Sequence, residues 1–205
     1  MNHQKYPLVT IIISLVTLIY SLYVNYEISG SLLGKIKITQ LEQYGGITFE
    51  HLWNLELWRL FVSQVVHVKQ LHMFFNVASF LLLGIILEGY IGAIRFFLLW
   101  FISGAVGTLI STLTVEPPWN LGTGASQAIL GVAALGVLLL YKKIDTSLFL
   151  KFAVIFAILP ALLLDLIFVH YPKLGHVTGF MVGWIIAFYY SHRDESLKIV
   201  CEKNI

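Results

Sequence analysis

Charge is the scarcest property of this sequence. Only 12% of its 205 residues are Asp, Glu, Lys or Arg, while 58% are hydrophobic. A soluble domain carries about 25% charged residues, so the shortage excludes an ordinary soluble domain and points to an all-α membrane protein. What charge there is nearly cancels, at net +2, leaving no basic excess to attract nucleic acid. Cysteine is nearly missing as well. The one cysteine, Cys201, lies in the polar tail, which excludes a disulfide framework and a cysteine-built metal cluster. There is no internal repeat and no low-complexity segment. Nothing calls for a cofactor or a metal. The length suits a single domain over 1–205 with short polar tails.

What is present is a series of long apolar runs. A helix crosses a bilayer in about 20 mostly apolar residues. The spans expected are Leu8–Tyr26, about Leu71–Glu88, Phe96–Thr114, Gly124 to just before Lys142, roughly Ser147–Val169, and Leu174–His192. The fifth is interrupted by Pro160, since proline removes a helical donor. The first run follows Lys5 as a signal peptide would, but it is too long for a signal core and no small-x-small site follows it. It is read as a retained helix. Between the first two spans lies the long polar region 27–69, broken at Gly45-Gly46, with Trp53 and Trp58 at helical spacing. Trp-rich amphipathic stretches lie in a membrane interface, so a membrane-lying loop with short helices is expected.

Six spans put both termini on one side. With the N-terminus inside, Lys5, Arg95, Lys142, Lys143, Lys151, Arg193, Lys198 and Lys203 are cytoplasmic. Only Lys35, Lys37, Arg59, Lys69 and Lys173 lie outside, four of them in the long loop. Short loops decide orientation, which favours cytoplasmic termini in a cell-membrane protein. The even-numbered spans then all enter from the outer face. His72 opens the second, Ser126 the fourth and His176 the sixth, all within about two helical turns of that face.

Polar side chains in a bilayer face the bundle interior and often mark function. Ser126 is either a small packing residue or a nucleophile, and a serine needs a base to take its proton. His176 is the candidate base. Gly179 and Gly183, at i+3 and i+7, share its face. Glycine at four-residue spacing admits a close neighbour, and the fourth span offers Gly124, Ala128 and Gly131 in return. His72 and Asn76, at i and i+4, share a face. They either glue helices or direct two donors at an oxyanion. His67 is a loop histidine or a supporting donor. No acid is evidently placed to orient His176. Asp165, eleven residues before it in the fifth span, is open to three readings: a local packing acid, an ion-coupling carboxylate or an orienter of His176. A Ser–His dyad suffices where the helices hold the imidazole.

Trp58-Arg59, His67 with His72-x-x-x-Asn76, Gly84-x-x-x-Glu88, Gly124-Ala125-Ser126 and His176-x-x-Gly179-x-x-x-Gly183 occur in an order that resembles the rhomboid intramembrane serine proteases over roughly residues 45–190. The resemblance implies a six-transmembrane-helix bundle with a long membrane-lying first outer loop. It implies Ser126 as nucleophile and His176 as base, later acid. The oxyanion hole would be the Ser126 N–H with His72 and Asn76. Trp58 and Arg59 would anchor the loop in the interface, and Glu88 would hold the inner end of the second span. The reaction implied is hydrolysis of a peptide bond in or beside a transmembrane segment of another membrane protein, one with a small residue at the cut bond and a helix that can unwind. The partners are thus transmembrane substrates and the lipid bilayer. The chain departs from the pattern at Gln127, where glycine usually follows the nucleophile, and at Leu130, where an aromatic often packs on the histidine. Gln127, at i+1, is expected to point away from Ser126. Two other readings compete: an inactive rhomboid-like protein that binds transmembrane segments, and an unrelated transporter built on Asp165. A transporter predicts inverted repeats, and Pro160 has no counterpart in the first half.

Overall fold

The computed structural model describes residues 6–168 and 170–193. Lys5 and the charged tail with Lys198, Cys201 and Lys203 lie outside the described residues. The chain forms α1 (Leu8–Ser29), a 3-10 turn (Ile38–Tyr44), α2 (Phe49–Trp53), α3 (Arg59–Val65), α4 (Gln70–Ile91), α5 (Ala93–Thr114), α6 (Ser126–Tyr141), α7 (Leu148–Ile167) and α8 (Lys173–Arg193). Among the described residues the β structure is a single isolated bridge, Ile47 to Gly122. Apolar runs with no polar partner for their backbone can satisfy it only within a helix, which is why the expected spans and the observed helices nearly coincide.

Four helices, α1, α4, α5 and α7, are long and apolar enough to cross a membrane. The remaining two expected spans differ from that standard. α6 has only 16 residues, about 24 Å at 1.5 Å per residue against a hydrocarbon core of about 30 Å. It lies at the centre, against α4, α5, α7 and α8, and 13 of its 16 residues are buried. A helix wrapped by others has no lipid-facing length to match. α7 is the opposite case. It fully buries only Leu150, Ala153, Val154 and Ala157, one stripe at i, i+3, i+4 and i+7, and leaves its other residues half-buried or exposed. Its Pro160 does not interrupt it, because α7 runs continuously from Leu148 to Ile167. Proline deletes one N–H, and within a bundle the neighbouring structure makes good the freed carbonyl.

The long segment after α1 carries the exposed residues Trp53, Leu55 and Leu57 on one tip. Arg59, in contrast, turns inward. It is buried, donates to the Glu42 and Gly46 carbonyls and pairs with Glu56 at 2.6 Å.

Two contacts set the bundle. At the first, α8 meets α6 backbone to backbone. A Cβ on Gly179 would strike the Gln127 carbonyl, and one on Gly183 would strike the Gly131 carbonyl. At the second, the buried Glu88 near the end of α4 accepts from Val9 N–H at 3.0 Å, Thr10 N–H at 2.8 Å and the Thr10 hydroxyl at 2.8 Å. A carboxylate there satisfies orphan donors at the start of α1 and faces the positive end of its dipole.

Gly179→Ala is expected to destabilise by about 1–3 kcal/mol, since backbone atoms cannot swing aside. Gly89→Ala, where an added Cβ meets nothing within 4 Å, should be neutral or slightly stabilising through helix propensity. Thermal unfolding of the two variants checks this, and equal midpoints would contradict the close-approach account. Glu88→Gln sets an amide NH2 against one of the two backbone N–H donors, that of Val9 or that of Thr10, and should cost about 1.5–3 kcal/mol in the same assay.

Candidate active site

α4, α6 and α8 all begin at one end of the bundle, and this brings distant residues together. Gly124 sits at φ +96°, a conformation that glycine adopts without strain. It turns the chain so that Ser126 becomes the first residue of α6. The loop before it is held by the segment preceding α4. Gly122 N–H and Ile47 C=O bond at 2.7 Å, and Gly124 N–H reaches the Ser63 carbonyl at 2.8 Å. Since α6 and α8 touch through glycine, Ser126 Oγ stands 2.8 Å from His176 Nε2. Both residues are buried.

The other face of His176 was not evident from the sequence. Its Nδ1 lies 2.9 Å and 2.8 Å from the two Asp165 oxygens. An acid is therefore placed against His176, contrary to the expectation of none, and it is the residue for which three roles were open. Helix ends explain it: Asp165 lies in the last turn of α7 and His176 in the first turn of α8, so a short connection folds one back on the other.

His67 is buried between α3 and α4 and holds three elements. Its Nε2 accepts from Asn76 Nδ2 at 3.0 Å and from Ala125 N–H at 3.3 Å. Its Nδ1 is 3.1 Å from Ser21 Oγ, which itself donates to the Val65 carbonyl. Two donors on Nε2 leave the proton on Nδ1, so the imidazole is neutral and every member of the chain is satisfied. Burial, with His72 adding to it, pushes His67 from the ordinary 6.5 down to about 3. Ser21 was not among the candidate residues. The signal was available, because Thr10, Ser14, Thr17, Ser21 and Asn25 form one buried stripe along α1.

Gln127 does not point away from Ser126. Its Oε1 is 3.2 Å from Ser126 Oγ, and its Nε2 donates to Ser111 Oγ at 3.3 Å. Side chains in a first helical turn lean back toward the N-terminus, and room for the chain comes from Gly107 on α5, whose added Cβ would lie 2.8 Å from Gln127 Cβ. Leu130 is buried. The aromatic ring beside His176 is that of Tyr171, with centroids 6.4 Å apart at 56°. Burial, then the nearby Asp165, raises the Tyr171 phenol above its ordinary value. His72 lies edge-on to Tyr171, with ring centroids 6.3 Å apart.

A cavity of about 190 Å³ opens beside Ser126, bordered by His72, Ser111, Trp119, Ser126, Gln127 and Tyr171. A smaller one, about 20 Å³, is bordered by His72, Asn76, Ser79 and Ser126. Trp58 and Arg59 line neither cavity. Glu88, near the opposite end of α4, acts on α1 as described. Among the described residues no cluster of His, Cys, Asp and Glu is arranged to hold a metal.

Residues 54–193 match the rhomboid domain. The chain is 32% identical over 148 residues to Rhomboid-like protease 3 of Toxoplasma gondii, covering 70% of this chain and 56% of that one. It is 32% identical over 119 residues to Inactive RHOMBOID-like protein 8 of Arabidopsis thaliana, covering 58% and 34%. Against Rhomboid protease GlpG of Haemophilus influenzae it is 23% identical over 133 residues, covering 65% and 69%. The chain thus spans about half or less of the length of the first two.

The neutral His67 has a consequence for stability. Its folded-state value lies below the unfolded 6.5, so its contribution is whole above pH 6.5. As the pH falls from there toward 3 the unfolded chain takes up a proton that the folded chain refuses, and stability drops by about 1.4 kcal/mol per pH unit. His67→Gln can keep both hydrogen-bonding directions and does not titrate. Its thermal midpoint should fall less than that of the wild type between pH 6.5 and 4, and parallel curves would contradict this account.

Proposed function

The chain belongs to the rhomboid family, and on that premise we propose that it is an intramembrane serine endopeptidase with Ser126 as nucleophile and His176 as its base. The observation that carries the reading is the 2.8 Å contact between Ser126 Oγ and His176 Nε2, formed between helices 50 residues apart. Ser126 Oγ adds to a substrate carbonyl carbon as His176 Nε2 takes its proton. Collapse of the tetrahedral intermediate breaks the C–N bond, and the imidazolium returns that proton to the leaving amine. Water then reverses the sequence to release the acyl group.

The developing oxyanion needs donors already aimed at it. As the first residue of α6, Ser126 has an N–H with no intrahelical acceptor, and the positive end of the helix dipole adds to it. His72 and Asn76 border the small cavity next to Ser126, which supports their role as the other donors. One Asn76 N–H is held by His67, and this leaves the second to turn toward the cavity. The substrate is a membrane protein cut in or beside a transmembrane segment, with a small residue at the cut bond. The protein is read as a multi-pass cell-membrane protein with cytoplasmic termini and a site opening toward the outer face. Trp58, in the exposed apolar segment before α3, is read as an interface anchor.

A second reading is an inactive rhomboid-like protein that binds transmembrane segments. It draws on the relative named inactive and on Gln127 Oε1, a rival acceptor for the Ser126 proton at 3.2 Å. The nearer acceptor is His176, which favours activity.

A fluorophosphonate probe separates the two. The wild type should label and cut a model transmembrane substrate, while Ser126→Ala and His176→Ala should do neither. Asn76→Ala should lower kcat by about 10²–10³-fold, the usual cost of one oxyanion donor. A folded wild type that neither labels nor cleaves would sink the protease reading.

A further inference from the structure

We propose that Asp165 is a positioning residue for His176, so that this chain works with an aspartate–histidine–serine relay rather than with a dyad alone. The inference rests on the reading of Ser126 as nucleophile and adds a residue to that site.

The argument starts from the two faces of one ring. A neutral imidazole has one N–H and one lone pair. Both Asp165 oxygens lie within 2.9 Å of Nδ1, and a carboxylate only accepts. The proton therefore belongs on Nδ1, and the lone pair on Nε2 faces the Ser126 hydroxyl 2.8 Å away. That is the tautomer a general base needs. The other tautomer sets a lone pair against the carboxylate and turns an N–H toward the serine, which leaves it unable to accept the proton.

Local structure gives no other reason for an acid at this place. Asp165 sits in the last turn of α7, where the negative end of the helix dipole disfavours a carboxylate. Nor is it one contact within a broad interface. α8 packs on α5 and α6, whereas α7 packs on α4 and α6. The pair is also dry, with side-chain exposures of 3% for His176 and 12% for Asp165. In such surroundings a carboxylate interacts strongly with an imidazolium and fixes the ring plane. The other described groups against the ring are the Ser126 hydroxyl from α6 and the Tyr171 ring from the loop, and His72 from α4 lies edge-on to Tyr171. Asp165 is thus the one acid among the described groups placed to balance the charge that His176 gains.

In the reaction, the Ser126 O–H bond breaks and an Nε2–H bond forms as Oγ bonds to the carbonyl carbon. The Nδ1 proton stays on the ring. Asp165 takes no proton; it keeps the imidazolium oriented until Nε2 gives its proton to the leaving amine.

The test uses the full chain in detergent micelles. Histidine-selective ¹⁵N NMR on the wild type, with His176→Ala to assign the signal, should show Nδ1 protonated and its proton far downfield. Asp165→Asn should keep the wild-type thermal midpoint and KM, yet lose about 100-fold or more in kcat and in fluorophosphonate labelling rate. Asp165→Glu should recover part of that loss. A wild-type His176 protonated on Nε2 overturns the inference whether or not the variants fold. So does a folded Asp165→Asn that labels within roughly threefold of the wild type. A wild type with no Ser126-dependent labelling fails at a different point: it overturns the protease reading itself.

Discussion

α6 and α8 approach so closely that a single Cβ on either Gly179 or Gly183 would collide with the opposite backbone. Everything at the candidate site depends on that approach. A lipid tail is as apolar as leucine, so two helices in a bilayer gain little from burying apolar side chains against each other; close packing and interhelical hydrogen bonds must do the work. Here the packing sets the separation and the hydrogen bonds use it. Ser126 Oγ meets His176 Nε2 at 2.8 Å because the backbones beneath them are in contact. Any larger residue on that face would open a gap between Ser126 and His176.

The second dependence is polar. Buried donors and acceptors are costly when left unmatched, and this bundle matches many of them across elements rather than within them. His67 ties Ser21 of α1 to Asn76 of α4 and to the backbone before Ser126. Glu88 ties the end of α4 to the start of α1. The chain through His67 works only with a neutral ring, because a proton on Nε2 would repel both donors it now accepts from. The loop carrying Gly124 is thereby held from beneath by a side chain and from the side by the Ile47–Gly122 bridge. Ser126 is thus presented by a rigid frame, although the residues leading to it have no regular secondary structure.

Much of this was legible in the residues. Long uncharged runs can be little else than helices in a membrane, so the helix limits came within a few residues of those expected. The shared entry end of the even-numbered spans points His72, Asn76, Ser126 and His176 to one end of the bundle. The polar stripe of α1 is equally legible, since its spacing is helical, although none of its members is chemically conspicuous. Gln127 departs from the expected direction for a different reason. Its position on the helical wheel points one way, while its three rotatable bonds and the space beside Gly107 let it curl back.

The sequence by itself determined the class of protein, the helices, the meeting of Ser126 with His176 and the glycine face that allows it. These follow from composition and periodicity, which are local or nearly so. Only the tertiary structure decided that Asp165 lies against His176 Nδ1, which partner His67 serves on each nitrogen, and where Arg59 sends its guanidinium. Each depends on how two helix ends or a loop and a helix meet in space. That meeting is set by the packing of the whole bundle, so no spacing within a single segment encodes it.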